Sequence, residues 1–90
     1  MASIFDQLSR SGTVEIILAL RSQHTMSFAG VKKLVGNATT ATRRLAELQQ
    51  YSLVSRKVLQ DRLRTVEYRL TEKGLTVGEL VEKLKDQDRR

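Results

Sequence analysis

Apolar and polar residues recur along this 90-residue chain with two different periods, and the places where the period changes divide it into elements. Over residues 13–22, Val14, Ile17, Leu18 and Leu20 recur at helical spacing, after a Ser11-Gly12-Thr13 stretch suited to opening a helix. Ser27 is placed to cap a short helix over 28–35, with Phe28, Val31, Leu34 and Val35 as its buried face. Gly36 follows as the terminator, because glycine takes the left-handed conformation beyond a helix end at little cost. Asn37 can then cap a further helix at once, over about 38–51. Ala38, Ala41, Leu45 and Leu48 form its apolar stripe, and Thr39, Thr40, Arg43, Ala46, Glu47 and Gln50 fall on the opposite side.

From Leu53 the period falls to two. Residues 53–59 and 65–71 read as strands, the second alternating Val66, Tyr68 and Leu70 against Glu67 and Arg69. The polar segment between them, 60–64, predicts an antiparallel hairpin, with no glycine at the tip to specify its turn. After Thr71 the helical period returns: Leu75, Val77, Leu80, Val81 and Leu84 make one stripe, and Glu79 with Lys83 forms an i,i+4 pair in the favourable order. The expected class is α+β, mostly α, in a single domain over 1–90.

Composition narrows the chemistry. The chain has no cysteine, which excludes disulfides, thiolate metal sites and thiol nucleophiles. The first ten residues, MASIFDQLSR, lack the long apolar run of a signal peptide, and no segment approaches the roughly 20 apolar residues of a membrane span. A cytoplasmic location is the expectation. No phosphate-binding glycine loop, metal-ligand cluster or nucleophile–base pair stands out, so neither enzymatic activity nor a cofactor is expected. His24, the one histidine, has no second ligand or nucleophile in its pattern and is assigned to structure or surface.

The net charge of +6 is unevenly spread: +2 over residues 1–37, +4 over 38–70 and zero over 71–90. Seven cations, Arg43, Arg44, Arg56, Lys57, Arg62, Arg64 and Arg69, fall in the middle segment. A face that binds a polyanion and a merely solvated basic surface are both consistent with that distribution.

Two motifs go further. Leu45-x-x-Leu48-x-x-x-Ser52-Leu53-Val54 resembles the LxxLxxxGLV signature at the end of a winged-helix recognition helix. Tyr68-Arg69-Leu70-Thr71-Glu72-Lys73-Gly74 resembles the YxLTxKG signature that follows the wing in the MarR, PadR and HxlR groups of transcription regulators. The resemblance covers about residues 13–75. Serine stands at position 52 where those groups usually carry glycine, so a differently shaped helix-to-strand corner is one outcome. The wing is short, and the chain leaves no room for a ligand-sensing domain, so no small-molecule effector is expected.

The resemblance implies a winged helix: a three-helix helix-turn-helix core, a two-stranded wing and a C-terminal helix, with 13–71 as the DNA-binding core. It implies that the helix over about 38–51 enters the major groove of duplex DNA, where one helix fits and its N-terminal residues meet base edges. Asn37 would open that helix, with Thr39, Thr40 and Arg43 facing outward near its start. Arg43 could pair with guanine, and the threonines could meet a thymine methyl or a phosphate. Arg44 points sideways, with phosphate contact and plain exposure as its two readings. Ser27 with Lys32 or Lys33 would hold the backbone, and Arg62 and Arg64 on the wing, 59–65, would reach phosphates or the minor groove. Tyr68 shares the inward phase of Val66 and Leu70 and is read as core or interface.

The terminal segments, 1–10 and 72–90, add apolar surface in Ile4, Phe5, Leu8, Val77, Leu80, Val81 and Leu84. They are expected to pair with a second copy, giving a homodimer, with folding back onto their own domain as the alternative. Sequence-specific regulation, non-specific architectural DNA binding and a protein-interaction module remain the three readings of function, since one fold serves all of them.

Overall fold

The computed structural model describes residues 3–88. Its centre is filled from α2 (Thr13–Gln23), α3 (Phe28–Val35) and α4 (Ala38–Gln50), through Ile16, Ile17, Leu20, Val31, Ala41, Leu45 and Leu48. Leu53, Val54, Tyr68 and Leu70 close this core from the side of the hairpin formed by β2 (Val54–Val58) and β3 (Val66–Leu70). β1 (Met26–Ser27) joins β3 on its other edge, so the sheet is antiparallel in the order β1-β3-β2 and has three strands rather than the two of the wing alone. A short α1 (Ile4–Leu8) precedes the core, and α5 (Glu72–Asp88) follows it and packs along α2.

Local chemistry accounts for most of these boundaries. Ser27 Oγ accepts the Gly30 N–H and starts α3, Gly36 ends it at φ 98°, and Asn37 Oδ1 accepts the Thr40 N–H at 2.7 Å to start α4. α1 went unread in the sequence, although Ser3 and Asp6 form a reciprocal capping box around its first turn. The Ser11-Gly12-Thr13 stretch opens α2 as expected, with Gly12 as the N-cap at φ 91° and no side-chain hydrogen bond.

The apolar face of α2 is rotated from its predicted phase, and those of α3 and α4 each lose one member. α2 buries Thr13, Ile16, Ile17 and Leu20, leaving Val14 and Leu18 half-buried. Its run is apolar on nearly every side because α1, α3, β3 and α5 all pack against it, and such a run does not define one phase. In α3 only Val31 is fully buried, and Leu34 is exposed. On α4 the stripe is Ala41, Leu45 and Leu48, with Ala38 exposed at the first turn.

The join between α4 and β2 takes the shape that glycine usually provides. Ser52 sits at φ 60°; its N–H bonds the Gln49 carbonyl, and the Leu53 N–H reaches back to the Leu48 carbonyl. This is the Schellman pattern, and the two leucines at its ends, Leu48 and Leu53, are both fully buried in the same core. The corner keeps its form with serine in the left-handed position.

The start of α5 is bolted to the same corner. Thr71 donates its N–H to the Leu53 carbonyl and its hydroxyl to the Ser52 carbonyl, while its Oγ1 accepts the Gly74 N–H. Lys73 Nζ donates to the Tyr51 carbonyl, one of the groups left unpaired at the end of α4. Gly74 lies so close that a Cβ there would overlap the Leu53 carbonyl oxygen. One turn on, a Cβ at Gly78 would meet Ile17 Cγ2 at 3.4 Å and Arg21 Cδ at 3.5 Å, ordinary contact distances. Gly74→Ala is therefore expected to cost about 2 kcal/mol through overpacking against backbone. Gly78→Ala should be neutral or stabilising by up to about 1 kcal/mol, through helix propensity. Urea unfolding of the two variants tests the contrast, and equal losses would contradict the close approach at Gly74.

Candidate nucleic-acid interface

Helix α4 presents three sides with different tasks. The first is the buried stripe. The second faces the α1–α2 turn, where Arg44 Nε donates to the Ser11 carbonyl at 2.8 Å and Arg44 Nη1 donates to Glu47 Oε1 at 2.9 Å. Arg10 lies 3.8 Å from the other Glu47 oxygen. The Arg44 side chain is only 12% exposed, so its guanidinium is committed inside the molecule rather than offered to solvent. Thr40 belongs to this flank too; it is half-buried, with its Cγ2 near Gly12. Thr40 and Glu47, expected outward, therefore lie to the side.

The third side is free. Ala38, Thr39, Thr42, Arg43 and Ala46 are exposed and line a shallow concavity of about 510 Å³. Arg43 has no hydrogen-bond or ion-pair partner among the described residues. Thr42 was missed in the sequence, and its signal was available: it lies three residues beyond Thr39, a residue expected to face outward.

The remaining expected contact residues are spread over neighbouring elements. Ser27 and Asn37 are exposed, each engaged in capping its helix. Lys32 and Lys33 are exposed in the last turn of α3, where positive charge also suits the helix dipole. Arg62 and Arg64 are exposed at the tip of the wing. β2 is an edge strand and adds exposed Arg56 and Lys57, two cations that enter the sequence reading only through net charge. Tyr68 is buried, as its phase predicts.

The wing tip closes without glycine. Arg64 takes the left-handed conformation at φ 49°, its N–H bonds the Asp61 carbonyl, and the Asp61 carboxylate accepts the Thr65 N–H at 2.9 Å. The Leu59 N–H donates to the Thr65 carbonyl below this loop. The bond from the Thr65 backbone holds the Asp61 carboxyl below its ordinary value.

Away from these residues, α1 and α5 line an open apolar groove of about 810 Å³. Phe5 is 82% exposed, Leu80 56% and Leu84 69%, with Ile4, Leu8 and Val77 partly covered between them. Val81 is the exception, since it is buried within the chain. Leu75 leaves the stripe altogether, lining a separate recess with Leu20, His24, Arg69 and Leu70.

Three helices, a hairpin whose tip carries two arginines and a further helix along α2 define a winged helix-turn-helix. The HxlR-like helix-turn-helix family model matches residues 9–89, and the chain belongs to that family. Comparison with curated proteins finds no match. Among solved structures, the putative transcriptional regulator ytfH from Salmonella typhimurium is 26% identical, with a TM-score of 0.79 over 93% of this chain and 76% of that one. NadR in complex with 4-hydroxyphenylacetate is 21% identical, with a TM-score of 0.83 over 96% of this chain and 62% of that one. A mutant form of MarR from E. coli is 23% identical, with a TM-score of 0.78 over 90% of this chain and 61% of that one. The chain thus spans under two thirds of the length of NadR and MarR. Among the described residues no helix is long and apolar enough to cross a membrane.

The geometry of the tip predicts a pH dependence. A carboxylate with a lowered folded-state value contributes order above its ordinary value and loses it as pH falls through the lowered one. Protection of the Thr65 amide, its exchange rate relative to the unstructured rate at the same pH, should hold at neutral pH and fall only below the usual aspartate range. Asp61→Ala should remove that protection at every pH, and a Thr65 amide whose protection is indifferent to Asp61→Ala would rule out the carboxylate as the clasp.

Proposed function

We propose that this protein is a sequence-specific, double-stranded DNA-binding transcription regulator that works as a homodimer. The observation that carries the reading is the free side of α4 in a chain of this family. Its first two turns hold short side chains and one unpartnered arginine, and the helix's single acid, Glu47, is held by Arg44 and Arg10. Such a surface can enter a major groove about 12 Å wide without like-charge repulsion. Lys32 and Lys33 then meet phosphates, Ser27 and Asn37 lie beside them at helix starts, and Arg62 and Arg64 reach the backbone or minor groove. Arg44 supports this by holding α4 rather than by touching DNA.

The groove of α1 and α5 supports the dimer. Phe5, Leu80 and Leu84 are large apolar side chains clustered at one end of a small domain, where a second copy would remove them from water. Two-fold pairing there sets two recognition helices on successive major grooves, about 34 Å apart.

Selection from random duplexes at moderate salt should enrich a pseudo-palindrome. Arg43→Ala should then weaken binding to the selected site about tenfold or more, while random duplex loses far less. Equal loss on both would leave only non-specific binding. Leu80→Glu should convert the dimer to monomer in light scattering and lower affinity for the paired half-sites. A variant that remains dimeric would place the interface elsewhere.

A further inference from the structure

The free side of α4 is built of short side chains, four methyl groups and two hydroxyls, around one cation. Ala38, Thr39, Thr42 and Ala46 supply the methyls, and Arg43 is the single long side chain in the concavity. Resting on the DNA-binding reading above, we infer that this face reads thymine methyl groups beside a guanine, so that each half-site is a guanine set among thymines.

Elimination supports that chemistry. Adenine is read in the major groove by a bidentate amide, and cytosine by a carboxylate. Each amide near the face is otherwise placed: Asn37 Oδ1 holds the Thr40 N–H, Gln49 Nε2 donates to the Leu45 carbonyl, and Gln50 lies at the far end of the helix. The one carboxylate, Glu47, lies on the flank between Arg44 and Arg10. What remains is two threonine hydroxyls, which pair with donors or acceptors alike and so discriminate little, apolar contact, for which the thymine C5 methyl is the major-groove partner, and a guanidinium, for which guanine O6 and N7 are the bidentate partner. Geometry agrees. Ala38, Thr42 and Ala46 repeat every four residues and form a low ridge along the helix, so the backbone can approach the base edges closely enough for a methyl to be felt. Charge agrees too, because no acid lies in the concavity.

The test uses the full chain and the duplex enriched from a random pool, with each thymine replaced in turn by deoxyuridine, which differs only by the missing methyl. At two or more positions per half-site the replacement should weaken binding about fourfold, the value of one buried methyl. Replacing the adjoining guanine by 7-deazaguanine should weaken it further in the wild type but not in Arg43→Ala. In Thr42→Ser, which keeps the hydroxyl and loses the methyl, one of the deoxyuridine penalties should vanish. A selected site that keeps full affinity with every thymine replaced, or that has no thymine beside its guanine, overturns the inference while the regulator reading stands. A chain that binds duplexes without preference, or binds none, overturns both.

Discussion

The carbonyl groups of Tyr51, Ser52 and Leu53 are the anchor on which the rest of the architecture depends. They lie where α4 ends and β2 begins, and a helix end leaves such groups without intrahelical partners. Thr71 and Lys73 satisfy all three, and Gly74 makes room for the approach. The sequence Thr71-Glu72-Lys73-Gly74 is therefore a clamp with a definable part for three of its residues. It fixes the end of the proposed reading helix against the start of the helix proposed to dimerise.

The same helix is held from its other flank by a polar contact of a different kind. Arg44 reaches the Ser11 carbonyl and Glu47, tying α4 to the turn between α1 and α2. Exposed ion pairs contribute little to stability, but this guanidinium is mostly covered and bonds a backbone carbonyl, so it orients as well as attracts. With one side buried and a second side tied, only the arc through Ala38, Thr42 and Arg43 remains available to a partner. That restriction gives the site its character: few groups and short reach, with a single cation.

The wing and the groove are supported differently. The hairpin pairs Val54 through Val58 with Leu70 through Val66, yet past Val54 every β2 residue is exposed, and the edge carries Arg56 and Lys57. Charge on an edge strand discourages strand addition as well as attracting phosphate, so those two cations serve solubility whatever else they do. The tip relies on the Asp61 carboxylate in place of a glycine turn. The groove of α1 and α5 has no such internal closure, and its apolar side chains are left in water by this chain alone.

Local physics made much of this legible from the residues. The caps Ser27 and Asn37, the terminator Gly36, the hairpin and the inward phase of Tyr68 each depend on neighbours a few positions away, and all took the expected form. The motifs around Leu48 and Thr71 identified the family for the same reason, being short and contiguous. The phase of α2, the exposure of Leu34 and the separate recess of Leu75 depend on which elements pack on which, and a run apolar on all sides does not encode that. Arg43 and Arg44 make the distinction clearest. They are adjacent and chemically identical, and helical phase in the sequence set Arg43 outward and Arg44 to the side, without saying what, if anything, Arg44 would meet there. Tertiary structure decided that Arg44 bonds a carbonyl 33 residues away and that Arg43 stays free, because 100° of helical rotation separates a packed flank from open solvent.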